Sequence, residues 1–395
     1  MKNYNKFILP ILLLFLFAAY YALLKVIPAD YNDIHDHAAF ARQMCTGEIP
    51  YTGNFLVYLL VNVFSFFTAN VTFTEIILCL LLAFAGVYRY QLSVKKINQV
   101  LNSELQINQP FNQSTNQLYL HLLALSMLFV FVIPLPSYFL GDYFMYIGNY
   151  APNVWHNSTI LFLFPFALIL FDLSYKQLLS FDRKRNWMIL LLIVLNLFIK
   201  PSYFLVFICV YPLMLLIQYG FRKQFWLSIL PLVAGMIILI IQFVVIYKIS
   251  GPAANDSSSV VFMPFYKNSE LNEDMINIPF AMIFSLFFPL LYTVLNIRKL
   301  YRNKLFIYTF LSFVFSILIF FLISETGRRA SHGNYYWQII ITTWLCFFVA
   351  LLSLLKDIKI QGKTLKNKIL LSVYFVHVLM GVIYFVRILT TGGYY

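Results

Sequence analysis

Apolar runs of about 17 to 23 residues recur along the whole chain. Nothing else in the sequence restricts the fold so tightly, because that is the helix length that crosses a hydrocarbon layer of about 30 Å. The runs predict eleven spans, over 7–27, 74–92, 118–138, 158–175, 187–199, 202–219, 225–247, 280–297, 305–323, 337–355 and 369–389. With 61% hydrophobic and 11% charged residues, a water-soluble domain is excluded, because too few polar groups remain to cover its surface. The expected fold is an all-α integral membrane protein, one polytopic domain over 1–395 with no repeat. The first run follows Lys2 and Lys6 and lacks the short core and small-residue site of a cleaved signal, so it reads as a retained span. The fifth stops at Lys200-Pro201, where proline cannot continue the backbone ladder, and a break is predicted there.

The formal charge of +13 does not point to nucleic acid, because the basic residues fall in short clusters between apolar runs rather than on one stripe. They read as topology signals instead. With the N-terminus cytoplasmic, 20 of the 28 Lys and Arg lie on the inner side, 11 of the 15 acidic residues lie on the outer side, and the C-terminus is extracytoplasmic. This sidedness requires that Phe55 to Thr68 does not cross, or every later loop would invert. That run is therefore expected as a juxtamembrane helix in the outer interface, inside a first extracytoplasmic loop over 28–73. The four cysteines are scattered and form neither a disulfide framework nor a metal-spaced cluster.

Charge is concentrated in that first loop, in the stretch DYNDIHDHAAFARQMCTGEIPYTGN from Asp30 to Asn54. Asn32 or Asp33 can cap a helix, and on that helix Asp33, Asp36 and His37 share a face at i, i+3, i+4 while His35 points away. Two carboxylates and an imidazole can supply a general base for a hydroxyl. On spacing alone, a capped and solvated interfacial helix accounts for the same residues equally well.

The run DIHDHAAFARQMCTGEIP resembles the first extracytoplasmic loop of GT-C-type glycosyltransferases, polytopic enzymes that take a sugar from a polyprenyl-phosphate or polyprenyl-diphosphate carrier. Asp33, the alanines Ala38 and Ala41, Arg42 with Met44, Gly47 with Glu48, and the apolar stretch Asn54 to Thr68 stand where that family has its acid, helix, turn and interfacial helix. The resemblance implies Asp33 as catalytic acid-base residue, supported by Asp36 and His37, and inversion at the anomeric carbon. Ile34 stands where relatives often carry a second acidic residue, with Asp36 as the nearest substitute. Asp33, Asp36 and His37 can also bind a divalent metal, and the resemblance leaves metal dependence open. Asp142, in the second outer loop, is a candidate second acid on the same ground.

That second loop also holds Asn153, Trp155 and His156, a stacking ring with polar neighbours suited to a sugar face; an aromatic belt with a capping Asn is the plainer alternative. In the loop SETGRRASHGNYYW, Glu325, Arg328, Arg329 and His332 cluster on the side that basic residues avoid, so the arginines call for an anionic partner. A substrate phosphate, a local Glu-Arg pair and lipid headgroups all qualify. Lys200, at the outer end of a broken helix, can reach the same phosphate or simply snorkel. His377, within the last span, reads as a packing hydrogen bonder.

The expected activity is transfer of a sugar from a polyprenyl-linked phosphate donor to a hydroxyl of a glycan, lipid or protein, at the outer face of a bacterial cytoplasmic membrane. A surface-polysaccharide polymerase or ligase is the second reading. A transporter of lipid-linked sugars is the third, disfavoured because the spans hold almost no charge.

Overall fold

A computed structural model describes residues 2–102, 113–134, 145–146, 148–249, 258–266 and 277–393. The first apolar run is helix α1, Lys2–Val26, followed by a 3-10 turn at Ala29–Tyr31. Two shorter helices come next, α2 over Asp33–Thr46 and α3 over Leu56–Phe64. At nine residues α3 is too short to cross a bilayer, in keeping with the expectation that 55–68 stays on one side. The chain then enters α4, Val71–Asn102, and α5, Gln113–Ser126.

Helices α6, Ser158–Leu179, and α7, Arg183–Ile199, are joined at one end of the bundle by Gln177, which bonds Asp182 and Asn186. After the predicted break at Lys200-Pro201 come α8, Ser202–Tyr219, and α9, Lys223–Val244, which ends in a π turn at Val245–Ile249. Helices α10, Asn277–Ser285, and α11, Phe287–Leu300, are bent against each other by 79°. The chain closes with α12, Lys304–Leu322, α13, Trp337–Gln361, and α14, Leu365–Thr391. The one sheet among the described residues is a short antiparallel ladder of β1, Val260–Phe262, and β2, Ile323–Glu325, with Val261 opposite Ser324.

Eight of these helices, α1, α4, α6, α8, α9, α12, α13 and α14, are long and apolar enough to cross a membrane, and the bent α10–α11 pair makes up to nine. The fold is thus a helical membrane protein. Expected span 280–297 is broken by that bend, and two further expected spans fall outside these nine. Segment 187–199 belongs to a helix of only 17 residues, and among the described residues 118–134 the helix runs only through Ser126. Past Ser126 the backbone turns irregular although the sequence stays apolar, because other helices supply its hydrogen bonds. Phe131 N–H donates to His377 O, and Ile133 N–H to Phe284 O. The His377 ring completes the arrangement from within α14: Nδ1–H donates to Phe131 O at 2.6 Å, which leaves Nε2 to accept from Phe288 N at 3.3 Å. Non-helical backbone survives in such a bundle only where protein satisfies it, and 130–134 is largely buried.

The core is centred on α13, which touches α4, α6, α8, α11, α12 and α14. Its apolar window is 89% buried, against 22% for the peripheral α9. Small residues let the helices approach. Gly381 of α14 packs directly on the Phe129 carbonyl, leaving no room for a Cβ.

Candidate functional site

The C-terminal ends of α1 and α7 and the N-terminal ends of α2, α6 and α13 meet at one end of the bundle, and the charged residues of interest gather there. Helix α2 is placed by Asn32. Its side chain caps α2 by accepting from His35 N–H at 3.3 Å, and its amide donates to Leu24 O and Ile27 O at the end of α1. Ile34, Ala38, Ala41 and Met44 form the buried face of α2, and the alanines bring it close enough to α4 for Thr74 Oγ1 to reach Ala38 O. Gly47, at φ 77°, ends the helix in the left-handed region. Beyond it Glu48 accepts both guanidinium nitrogens of Arg42 at 2.8 Å, closing the turn.

Asp33 is the first residue of α2 and Ser158 the first of α6. Ser158 N–H is one of the donors that a helix start leaves unbonded, and it donates to Asp33 Oδ2 at 2.7 Å. Asp33 Oδ1 lies 3.4 Å from His37 Nε2. An ionised carboxylate only accepts, so Nε2 carries a proton toward it, and Nδ1 shares a hydrogen bond of 2.7 Å with the Tyr58 hydroxyl. The Tyr58 ring stacks on the imidazole, with centroids 5.5 Å apart. Burial raises the Asp33 carboxyl, but His37, Lys200 and the Ser158 N–H outweigh it and hold Asp33 well below the usual carboxylate range.

Lys200 caps the end of α7. Its ammonium donates to Thr159 Oγ1 at 3.0 Å and to Asn157 Oδ1 at 3.5 Å, and lies 4.9 Å from the Trp337 ring centroid. No carboxylate among the described residues is within salt-bridge reach of it. Burial pushes its pKa down to about 8, with the Arg329 charge adding to the effect and Asp33 and Glu325 opposing it. His156 sits beside the same indole, 6.1 Å between centroids, and burial lowers its pKa to about 4, so it is neutral at physiological pH.

Across the site, Glu325 accepts from Arg329 Nε at 2.8 Å, from Asn334 Nδ2 at 2.6 Å and from the Tyr247 hydroxyl. Arg329 also lies over the Tyr247 ring, and although burial lowers its pKa, the Glu325 charge raises it above the ordinary value. Arg329 thus has a local carboxylate partner, and Lys200 is, among the described residues of this group, a cation held by neutral oxygens and a ring.

The remaining candidates separate from this group. Asp36, in the same first turn of α2, is exposed, and His35 turns to Glu75 of α4 at 2.6 Å. Trp155 is buried against Tyr20, Phe129 and Phe385, and Asn153 donates to Met127 O and Val130 O. Both side chains pack into the core, where the loop before α6 folds over the irregular 130–134 segment. Asp142 lies outside the described residues, as do the side chains of Arg328 and His332. Among the described residues no group of three His, Cys, Asp or Glu gathers in a way that could hold a metal, and Asp33, Asp36 and His37 do not form one.

Sequence reasoning missed Tyr58, Thr159 and Trp337. Tyr58 and Trp337 are aromatic residues at the edges of apolar runs, and only the fold shows that they face His37 and Lys200. No protein-family model matches the chain, and no curated protein matches it.

Proposed function

We propose that the chain is a GT-C-like glycosyltransferase that moves a sugar from a polyprenyl-linked phosphate donor to a hydroxyl acceptor. The observation that carries this reading is the juxtaposition of an ionised carboxylate, Asp33, with an unpaired, ring-backed ammonium, Lys200, both anchored on the first turn of α6. A transfer of this kind needs an anionic group facing the acceptor hydroxyl and the electron-poor anomeric carbon, and a cation facing the departing phosphate.

In the proposed step the acceptor oxygen bonds to the anomeric carbon as the bond from that carbon to the carrier phosphate breaks. The electron pair leaves with the phosphate, toward Lys200 and, beyond it, the Arg329 guanidinium. The hydroxyl proton passes to Asp33. Its depressed pKa makes Asp33 a weak base, so it orients the hydroxyl and takes the proton late, once the oxygen has become acidic by bonding. His37 and Tyr58 hold Asp33 in place from behind, and the Trp337 face is the natural stacking surface for a pyranose.

We further propose that eleven segments cross, with α5 plus its irregular extension and the 17-residue α7 completing the bundle. Their ends alternate along the chain in register with the other spans, and α7, antiparallel to α6, returns from its far end to Lys200 beside the start of α6. The excess of basic residues at the opposite end supports a cytoplasmic N-terminus and a site on the outer face of a bacterial cytoplasmic membrane.

The test is donor saturation with purified Lys200→Met. The proposal expects KM for the donor to rise about tenfold or more, the scale of one lost charge-assisted contact. An unchanged KM contradicts the assignment of the phosphate to Lys200.

A further inference from the structure

The turn between α3 and α4 carries a feature that the proposed chemistry does not use. Phe66 and Phe67 have φ of 54° and 55°, consecutive non-glycine residues in the left-handed region where Cβ crowds the backbone. The conformation is firmly held: Phe66 N–H donates to Val63 O, Phe67 N–H to Asn62 O at 2.7 Å, and Cys45 Sγ to Phe67 O at 3.2 Å. Its effect is to turn both rings away from the protein, leaving them 86% and 57% exposed, beside Val63 and Phe64, which are also exposed. Strained backbone that presents aromatic rings outward needs something that receives them.

The surrounding surface indicates what that is. Exposed Phe73, Phe84 and Tyr88 run down one face of α4, with Ile77 and Leu81 half-buried between them, and this is a face of a membrane-crossing helix. Phe66 and Phe67 lie in the turn that leads into the N-terminus of α4, where the apolar run begins and where exposed apolar rings can bury at the boundary between headgroups and acyl chains. The turn is also tied to α2. Asn62 is fully buried and donates to Ala41 O and to the Tyr51 hydroxyl, and Cys45 belongs to α2 itself.

We propose that Phe66 and Phe67 are a wedge seated in the interfacial layer of the bilayer, and that through Asn62 and Cys45 this lipid contact holds α2, with Asp33 and His37, at a fixed height over the membrane. The partner is a lipid surface. The inference rests on the membrane character of the fold and stands whether or not the chain transfers sugars.

The test keeps an aromatic side chain in place: p-benzoylphenylalanine is substituted for Phe66 in the full chain, which is reconstituted in phosphatidylcholine–phosphatidylglycerol vesicles, irradiated and examined by mass spectrometry for lipid adducts. The same residue replaces Phe84 as a lipid-facing reference and exposed, charged Glu48 as an aqueous one. The expected result is lipid labelling at Phe66 comparable to that at Phe84 and several-fold above that at Glu48. Labelling at Phe66 no greater than at Glu48 overturns the proposal, and so does a cross-link from Phe66 to a second copy of the chain in place of lipid. Substitution at Phe67, probed in parallel, covers the case in which the Phe66 variant does not fold.

Discussion

Asp33 and Lys200 have opposite charges and share a helix start, yet they answer to pH differently. Because the folded pKa of Asp33 is depressed, its contribution is present above the ordinary carboxylate range and is lost only as pH falls through a value below that range. Asp33 therefore produces no acid limb near neutral pH. Lys200 is charged below about pH 8 and neutral above it, so the attraction for a donor phosphate fades as pH rises through that value. We predict a basic limb in kcat/KM for the free enzyme with an apparent pKa near 8, displaced upward in Lys200→Arg, whose guanidinium keeps its charge. A profile flat through pH 9 in the unaltered protein contradicts this. At this scale much of the site was readable. Asp33 and His37 stood at helical spacing after a capping Asn, and Lys200-Pro201 marked a helix end. Unreadable were the partners supplied by distant segments: Ser158 N–H is 125 residues from Asp33, and Tyr58 lies 21 residues from His37 with no motif linking them.

At the scale of elements, length and turn chemistry were legible where they are local. The run 55–68 opens with a nine-residue helix and ends in a turn after Phe64, and Gly47 closes α2 as a left-handed glycine should. The failure of the helix to continue through 127–134 was not legible, since Met-Leu-Phe-Val-Phe-Val is as apolar as any span and its break is enforced from α14. The contact of Gly381 with the Phe129 carbonyl and the two hydrogen bonds of His377 form one junction. Gly381→Ala places a methyl against that carbonyl with no flexible side chain to give way, so we predict a loss of about 1–3 kcal/mol or more. The measurement is thermal unfolding in detergent, and an unchanged midpoint contradicts the packing described. Gly393→Ala, near the chain end with only the Thr391 hydroxyl nearby, serves as a tolerated comparison.

Over the whole molecule, apolar periodicity was enough to identify a helical membrane protein, and the placement of basic residues was enough to propose its sidedness. The convergence of five helix ends on Asp33 and Lys200 was beyond reach, because it depends on how the helices pack around α13 and not on the order in which they occur. The proposed eleven crossings would put the turn at Gly362, between α13 and α14, in the cytoplasm and the C-terminus outside. A reporter active only outside the cytoplasm, fused after residue 393, is expected to be active, and the same reporter inserted at Gly362 is expected to be silent. The reverse pattern contradicts the orientation.

The central claim is that the carboxylate held between α2 and α6 takes part in sugar transfer. Its most direct measurement is in vitro transfer from a polyprenyl-linked donor by purified Asp33→Asn beside the unaltered chain, with matched expression and unfolding midpoints. The account predicts a fall in kcat of about a hundredfold or more, the scale of a lost acid-base group, in a folded protein. Full transfer by folded Asp33→Asn contradicts it and removes Asp33 from the chemistry.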